Sequence, residues 1–439
     1  MPKIANPRLA VTAFLALSAL ISYSTPVRVT AKPTSSGGLS KIDHIVIIVQ
    51  ENRSFNNLFE GFPNATTSKT GACDGQTITL SQVPLATGWD ISHAFQDAKT
   101  AVDYGKMDGF CHESNAGGKD AQYSFVREKD VAPYWKLAQQ YTLGDKMFAS
   151  QLDGSFVAHQ YLIAGQAGGA YYLPNYEPWG CDGNPEWRVG IMNGAATSRQ
   201  GGLPVGVAFP CFTYKSIADE LDAAGLSWRS YSPRYCPKVR CLTAYSWDGY
   251  DAIKDIREGP DWKKDVVSPE TKILRDVQKG KLADVTWVIP SAKLSDHAGS
   301  DSKLGPSWVA SVVNTIGESE FWPSTAIFVV WDDWGGWYDG VAPPQLDWDG
   351  LGIRVPLLCI SPYAKSNYVD HTQYEFGSLL KIIENRFDLP SLGQTDARST
   401  APTNCFDFSR KPRAFTEISA PYPAEYLIAH PGTGEPDDQ

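Results

Sequence analysis

The 439-residue sequence has no basic excess: 39 Lys and Arg stand against 49 Asp and Glu, for a formal net charge of −10. A nucleic-acid partner needs a cationic footprint, so no nucleic-acid role is expected. No close CxxC pair occurs among the eight cysteines, which weighs against zinc-finger chemistry. Past the N-terminus no apolar run approaches the ~20 residues of a spanning helix. Internal repeats and low-complexity blocks are missing as well. What the length and the 42% hydrophobic content then allow is one large α/β domain with insertions, or two intimate ones.

The N-terminus has Lys3 and Arg8, an apolar stretch from about Leu9 to Ile21, and Val-Thr-Ala ending at Ala31. This is the pattern of a secretory signal peptide, expected over 1–31 and implying a secreted or periplasmic protein. A Ser/Gly-rich leader at 32–40 follows, then a single domain at 41–439 with wall-building insertions at about 60–150 and 165–270. In an exported chain the even cysteine count predicts disulfides, and chain order makes Cys236–Cys241 the first local pair expected. The composition carries no signal for an oligomeric state.

Ile45 to Val49 in "KIDHIVIIVQENRSFNNLF" are β-branched without polar alternation, the mark of a strand buried on both faces. Similar apolar runs stand at 226–232, 284–290, 326–331 and 355–361. Helix signals alternate with them: "SIADELDAAG" with Ser216 as cap and Gly225 as stop, "SWVASVVNTIG" after Pro306, and "EFGSLLKIIENRF" before Pro390. That alternation implies βαβ crossovers and a parallel or mixed sheet.

Ligands bind beyond the carboxyl ends of such strands. Glu51 and Asn52 follow the first strand, and Asp332 and Asp333 follow "AIFVVW" in "DDWGGWYDG". Adjacent carboxylates repel unless one is protonated or a divalent cation joins them, and oxygen ligands favour a hard metal. Taken singly, paired acids after a strand are more often a solvated turn. "LDGSFVAHQYLIAG" offers Ser155 at a helix start, either as an N-cap or as a hydroxyl in the positive field of the helix, with His159 one turn on. His93, His297 and His371 are further histidines in polar loops. His297 is the strongest of them because it too follows a strand.

In order along the chain, "DHIVIIVQENRSFNNLFEGFP", "ISHAFQDAKTAVDYGKMDGF", "DGSFVAHQYLIAG", "SDHAGSD", "VVWDDWGGWYDGVAPP", "IRVPLLCISPYAK" and "DHTQYEFGSLLKIIENRFDLP" resemble the bacterial phosphoesterase family of phospholipases C and acid phosphatases. The resemblance runs over about residues 41–393. It implies an alkaline-phosphatase-like α/β fold: a central, mostly parallel sheet flanked by helices, with loop-rich insertions. It further implies a divalent metal cation held by Glu51, Asn52, Ser155, Asp332 and Asp333, with Ser155 also the nucleophile and His93 and His297 near the transferred phosphate. Arg53 is expected to fix the loop.

The chain departs from the family pattern at Val157 and Ala158, where relatives carry Pro-Asn, and at Trp334, where many carry histidine. Around Ser246 it lacks the histidine of an HNPF stretch. The expected activity is phosphoric-ester hydrolysis, with phosphomonoesters ahead of phospholipid headgroups as substrate and peripheral membrane contact left open. Trp334 and Trp337 flank the acids as a candidate lipid-facing wall. A reading of another class is an exported protein that binds phosphate esters or glycans without catalysis, which the missing histidine favours and the intact acids and Ser155 oppose.

Overall fold

The computed structural model describes residues 37–194, 202–234, 247–300 and 302–431. The expected signal peptide, the first part of the leader, the Cys236–Cys241 pair and the stretch around Ser246 lie outside the described residues.

A nine-stranded sheet organises the chain. Its strands are β1 (His44–Gln50), β2 (Thr142–Phe148), β3 (Trp228–Tyr231), β4 (Val266–Val267), β5 (Val285–Val288), β6 (Thr325–Trp331), β7 (Arg354–Ile360), β8 (Tyr368–Asp370) and β9 (Tyr374–Glu375). Their spatial order is β4-β3-β5-β1-β6-β7-β2-β8, with β9 also on β2. Every pairing is parallel except those of β7, which runs antiparallel to both β6 and β2. The sheet is therefore mostly parallel, as expected.

The central strands are apolar on both sides because both sides are covered. All residues of β6 and β7 are buried, as is β1 after His44. Burying each Ile or Val of β1 contributes roughly 1.5–3 kcal/mol relative to exposure. Helices α1 (Ala132–Gln140) and α4 (Gly305–Gly317) pack on one another, as do α2 (Ser155–Ala164) and α5 (Phe376–Phe387). Local signals agree with these boundaries. Ser216 and Asp219 form a reciprocal capping box at the start of α3 (Ile217–Ala223), and Pro306 stands in the first turn of α4.

Strand β2 lies inside the stretch expected as an insertion at about 60–150, yet it pairs with β7, β8 and β9. Gly144, Asp145 and Lys146 break its apolar pattern, for local reasons. Gly144 faces Leu357 of β7, whose side chain fills the space a Cβ would take. The Asp145 carboxylate accepts from Thr66 N and His371 Nδ1, each at 2.9 Å. The stretch at about 165–270 likewise supplies α3, β3 and β4 to the main body, alongside a small three-stranded antiparallel sheet.

Two disulfides, Cys73–Cys111 and Cys181–Cys211, close loops of 38 and 30 residues outside the main sheet. Cys359 and Cys405 are buried thiols. Reduction releases the two loops in the unfolded ensemble, at a cost of roughly 3–4 kcal/mol each on chain-entropy grounds. Calorimetry with and without reductant is expected to show a lower Tm for the reduced protein.

Candidate active site

The parallel register places the polar residues. Gln50 of β1 lies opposite Trp331 of β6, and Asp332 N donates to Gln50 O at 3.0 Å, so Glu51 and Asn52 leave the sheet beside Asp332 and Asp333. On the other side of β1, β5 leads to Asp296 and His297. Three neighbouring strands thus deliver their carboxyl-end residues to one place, and α2 points into it.

Ser155 is the first residue of α2, not its cap; Gly154 is the cap. Its Oγ donates to Glu51 Oε2 at 2.9 Å and lies 3.4 Å from Asp333 Oδ2. One turn further on, His159 Nε2 is 2.5 Å from Glu51 Oε1 and 3.8 Å from Asp332 Oδ2. Glu51, Asp332, Asp333 and Ser155 are wholly buried, and His159 nearly so. One oxygen or nitrogen each from Glu51, His159 and Asp332 falls within a 4.8 Å cluster that could hold a metal ion.

The other expected residues join at the edge of this cluster. Asn52 Nδ2 donates to His93 Nε2 at 3.0 Å, and His93 Nδ1 donates to Ile91 O at 2.7 Å. These partners fix both the tautomer of His93 and the orientation of the Asn52 amide. Gly154 stands between His93 and Asp333, since a Cβ there would lie 3.8 Å from the His93 ring and 3.9 Å from Asp333 Oδ2. His297 meets His93 ring to ring at 5.9 Å, stacks on Trp247, and donates Nδ1–H to Ala298 O at 2.5 Å. His371 is elsewhere, half exposed and paired with Asp145.

Arg53 braces the loop. Its guanidinium donates to Asp296 O at 2.8 Å, Leu85 O at 2.9 Å and Asn57 Oδ1 at 3.3 Å, and lies 4.5 Å over the Trp337 ring. Burial lowers its pKa to about 10, still far above neutral, so the brace stays charged. The same burial raises Asp296 to about 7, against donation from Tyr134 and Trp331 to its Oδ2. Asp153 is also pushed up to about 7 by burial, opposed by N–H donation from Gly154 and Tyr172.

Trp334 and Trp337 do not form a lipid-facing wall. Both are buried, Trp334 edge-on to Phe110 and Trp337 against Trp89 and Arg53. An aromatic cleft borders Ser155, where Phe156, Trp179, Trp247, Asp248 and Asp251 help line a narrow cavity of about 20 Å³. His159, Asp153 and this cleft are what sequence reasoning did not assign. Only His159 had a usable signal, its four-residue spacing from Ser155.

A serine at a helix start thus lies within reach of Glu51 and Asp333 at the carboxyl edge of a mostly parallel sheet. Residues 42–390 match the model of the Phosphoesterase family, and the chain belongs to that family. It is a hydrolase acting on phosphoric ester bonds. It is 25% identical over 440 residues to phospholipase C B of Mycobacterium tuberculosis, covering 86% of this chain and 80% of that protein. It is 25% identical over 412 residues to the non-hemolytic phospholipase C of Pseudomonas aeruginosa, covering 80% of this chain and 54% of the other. Non-specific phospholipase C1 of Arabidopsis thaliana is 23% identical over 426 residues, covering 84% and 71%. Among solved structures, an alkaline phosphatase superfamily protein from Vibrio parahaemolyticus aligns over 85% of this chain and 74% of its own, with 10% identity and a TM-score of 0.39.

Gly335 tests how tightly the edge is built. Its φ is +59°, and a Cβ would fall 2.1 Å from Asn52 O. Gly335→Ala is expected to cost about 1–3 kcal/mol through the left-handed backbone alone, more with the clash, and to lower ester hydrolysis by displacing Asn52. Thermal unfolding and turnover of the variant check both effects.

Proposed function

We propose that the protein is an exported, divalent-cation-dependent phosphodiesterase of the phospholipase C type with Ser155 as nucleophile. The observation that carries this reading is the Ser155 hydroxyl at 2.9 Å from Glu51 and 3.4 Å from Asp333 at the positive end of a ten-residue helix. The donor set fits a hard cation. Glu51, Asp332 and Asp333 put three carboxylates in one buried place, and the buried Asn52 Oδ1 accepts no hydrogen bond among the described residues. Glu51, Asn52, Ser155, Asp332 and Asp333 would hold it. Bound there, it would lower the pKa of the serine hydroxyl and offset charge on the phosphoryl oxygens.

Ser155 Oγ attacks phosphorus, and its proton passes to Glu51 Oε2, which already accepts it. The new O–P bond displaces the alcohol in line, leaving a phosphoserine diester product on the enzyme. His93 has its Nε2 committed to Asn52, which makes it the holder of that amide. His297, anchored through Nδ1, is the donor to the leaving oxygen through Nε2. The same imidazole then takes a proton from the water that cleaves the Oγ–P bond and releases the phosphorylated headgroup, and Glu51 returns its proton to Ser155 Oγ. The field of the α2 N-terminus favours the anion throughout.

Among the described residues, none of the side chains lining the cleft is Lys or Arg. A dianionic monoester needs charge-offsetting donors around three free oxygens, whereas a diester has one charge and a second arm that an aromatic cleft accepts. The named relatives are phospholipases C. The phosphomonoester reading keeps one observation in its favour: His297, 5.9 Å ring to ring from His93, offers a donor at this edge.

Chelation is expected to abolish turnover, and Asp333→Asn to weaken cation retention without unfolding the chain. Ser155→Ala is expected to reduce kcat by at least about 1000-fold while the protein still binds cation. Metal analysis alongside kinetics checks both, and full activity in stripped protein refutes the metal reading. For the substrate, p-nitrophenyl phosphorylcholine is expected to give higher kcat/KM than p-nitrophenyl phosphate, followed by turnover of dispersed phosphatidylcholine. A clear lead for the monoester would reinstate the phosphatase reading.

A further inference from the structure

Ser155 and His159 are four residues apart on α2, so one helix face carries both. Each reaches a different oxygen of the same carboxylate: Ser155 Oγ lies 2.9 Å from Glu51 Oε2, and His159 Nε2 lies 2.5 Å from Glu51 Oε1. The helix cannot easily slide away. Gly249 packs so closely on it that a Cβ there would lie 2.6 Å from His159 O.

Resting on the metal-centre reading above, we propose that His159 is a positioning residue: it fixes the rotation of the Glu51 carboxylate and so sets the oxygen presented to Ser155 and the cation. A terminal carboxylate torsion is broad and roughly two-fold, so Glu51 loses a restraint on its rotation when the contact at Oε1 goes, even with Ser155 still on Oε2. Asp332 and Asp333, buried beside it, repel its charge and would drive that rotation. An N–H on one oxygen opposes it. The contact runs to Oε1 of Glu51, while Ser155 holds Oε2. Partners of this kind, behind the ligands, alter metal affinity by about 10–100-fold when removed.

The experiment titrates Mn²⁺ calorimetrically into metal-stripped protein and measures kcat and KM on p-nitrophenyl phosphorylcholine at saturating Mn²⁺, for the unsubstituted protein, His159→Ala and His159→Gln. The alanine variant is expected to bind Mn²⁺ about 10–100-fold more weakly and to lose kcat at saturation with KM little changed. Glutamine places an amide N–H at similar reach and is expected to recover most of both. If the alanine variant does not fold, His159→Leu, bulkier and without a donor, takes its place. Unchanged affinity and kcat on removal of the donor overturn the proposal. So does Mn²⁺ resonance spectroscopy detecting a nitrogen ligand that disappears with His159, because the histidine is then a ligand itself. Failure of the unsubstituted protein to bind Mn²⁺ marks failure of the metal-centre reading and removes the basis of this one; tight binding that His159→Ala leaves intact defeats this one alone.

Discussion

Mutual repulsion among Glu51, Asp332 and Asp333, buried together at one edge of the sheet, is the constraint to which the surrounding structure answers. Three carboxylates do not collect out of water without compensation, because desolvation and like charge both oppose ionisation. The chain supplies part of that compensation itself. The N-terminus of α2 brings a positive field and the Ser155 hydroxyl, His159 grips one oxygen of Glu51, and Gly335 N donates to Asp333 Oδ1 at 2.7 Å. Packing that would be wasteful in an inert core is here what holds reactive groups in register.

A second ring of buried polar contacts keeps the acids where the strands leave them. Arg53 ties the β1 loop to the β5 loop through the Asp296 carbonyl. Asp339 accepts from Asn56 N at 3.0 Å and pairs with Arg354 at 3.0 Å, both side chains fully buried. Arg354 also donates to Asp145 O at 2.7 Å and covers the Phe55 ring. Because β7 is reversed, its first residue, not its last, lies at the reactive edge, and that residue is a brace. Removing one member of such a buried pair leaves an uncompensated charge and is far costlier than losing a surface ion pair.

How much of this could be read from the sequence follows from what each residue's role depends on. β1, β5, β6 and β7 were legible because continuous burial leaves a continuous apolar run. β2 was not, because Gly144 and Asp145 answer to Leu357, Thr66 and His371, all remote in sequence. Glu51, Asn52, Asp332, Asp333 and Ser155 could be named through their motifs, and the fold gathers them at one edge of the sheet. Nothing local assigns His93 to the Asn52 amide or His159 to a particular oxygen of Glu51, since those contacts depend on the rotation of α2 and the path of a loop. The tryptophans beside the acids misled for the same reason: adjacency along the chain does not say which way a ring turns.

Of the two disulfides among the described residues, one adjoins the cleft and the other the packing behind the acids. Cys181 follows Trp179 and Gly180 of the cleft, and Cys111 follows Phe110, which supports Trp334 behind the acids. Among the described residues, the edge that carries the acids is held by strand pairing and buried polar contacts and has no disulfide in it. Reduction therefore frees the Cys73–Cys111 and Cys181–Cys211 loops while the strand pairing that positions Glu51, Asp332 and Asp333 keeps its hydrogen bonds.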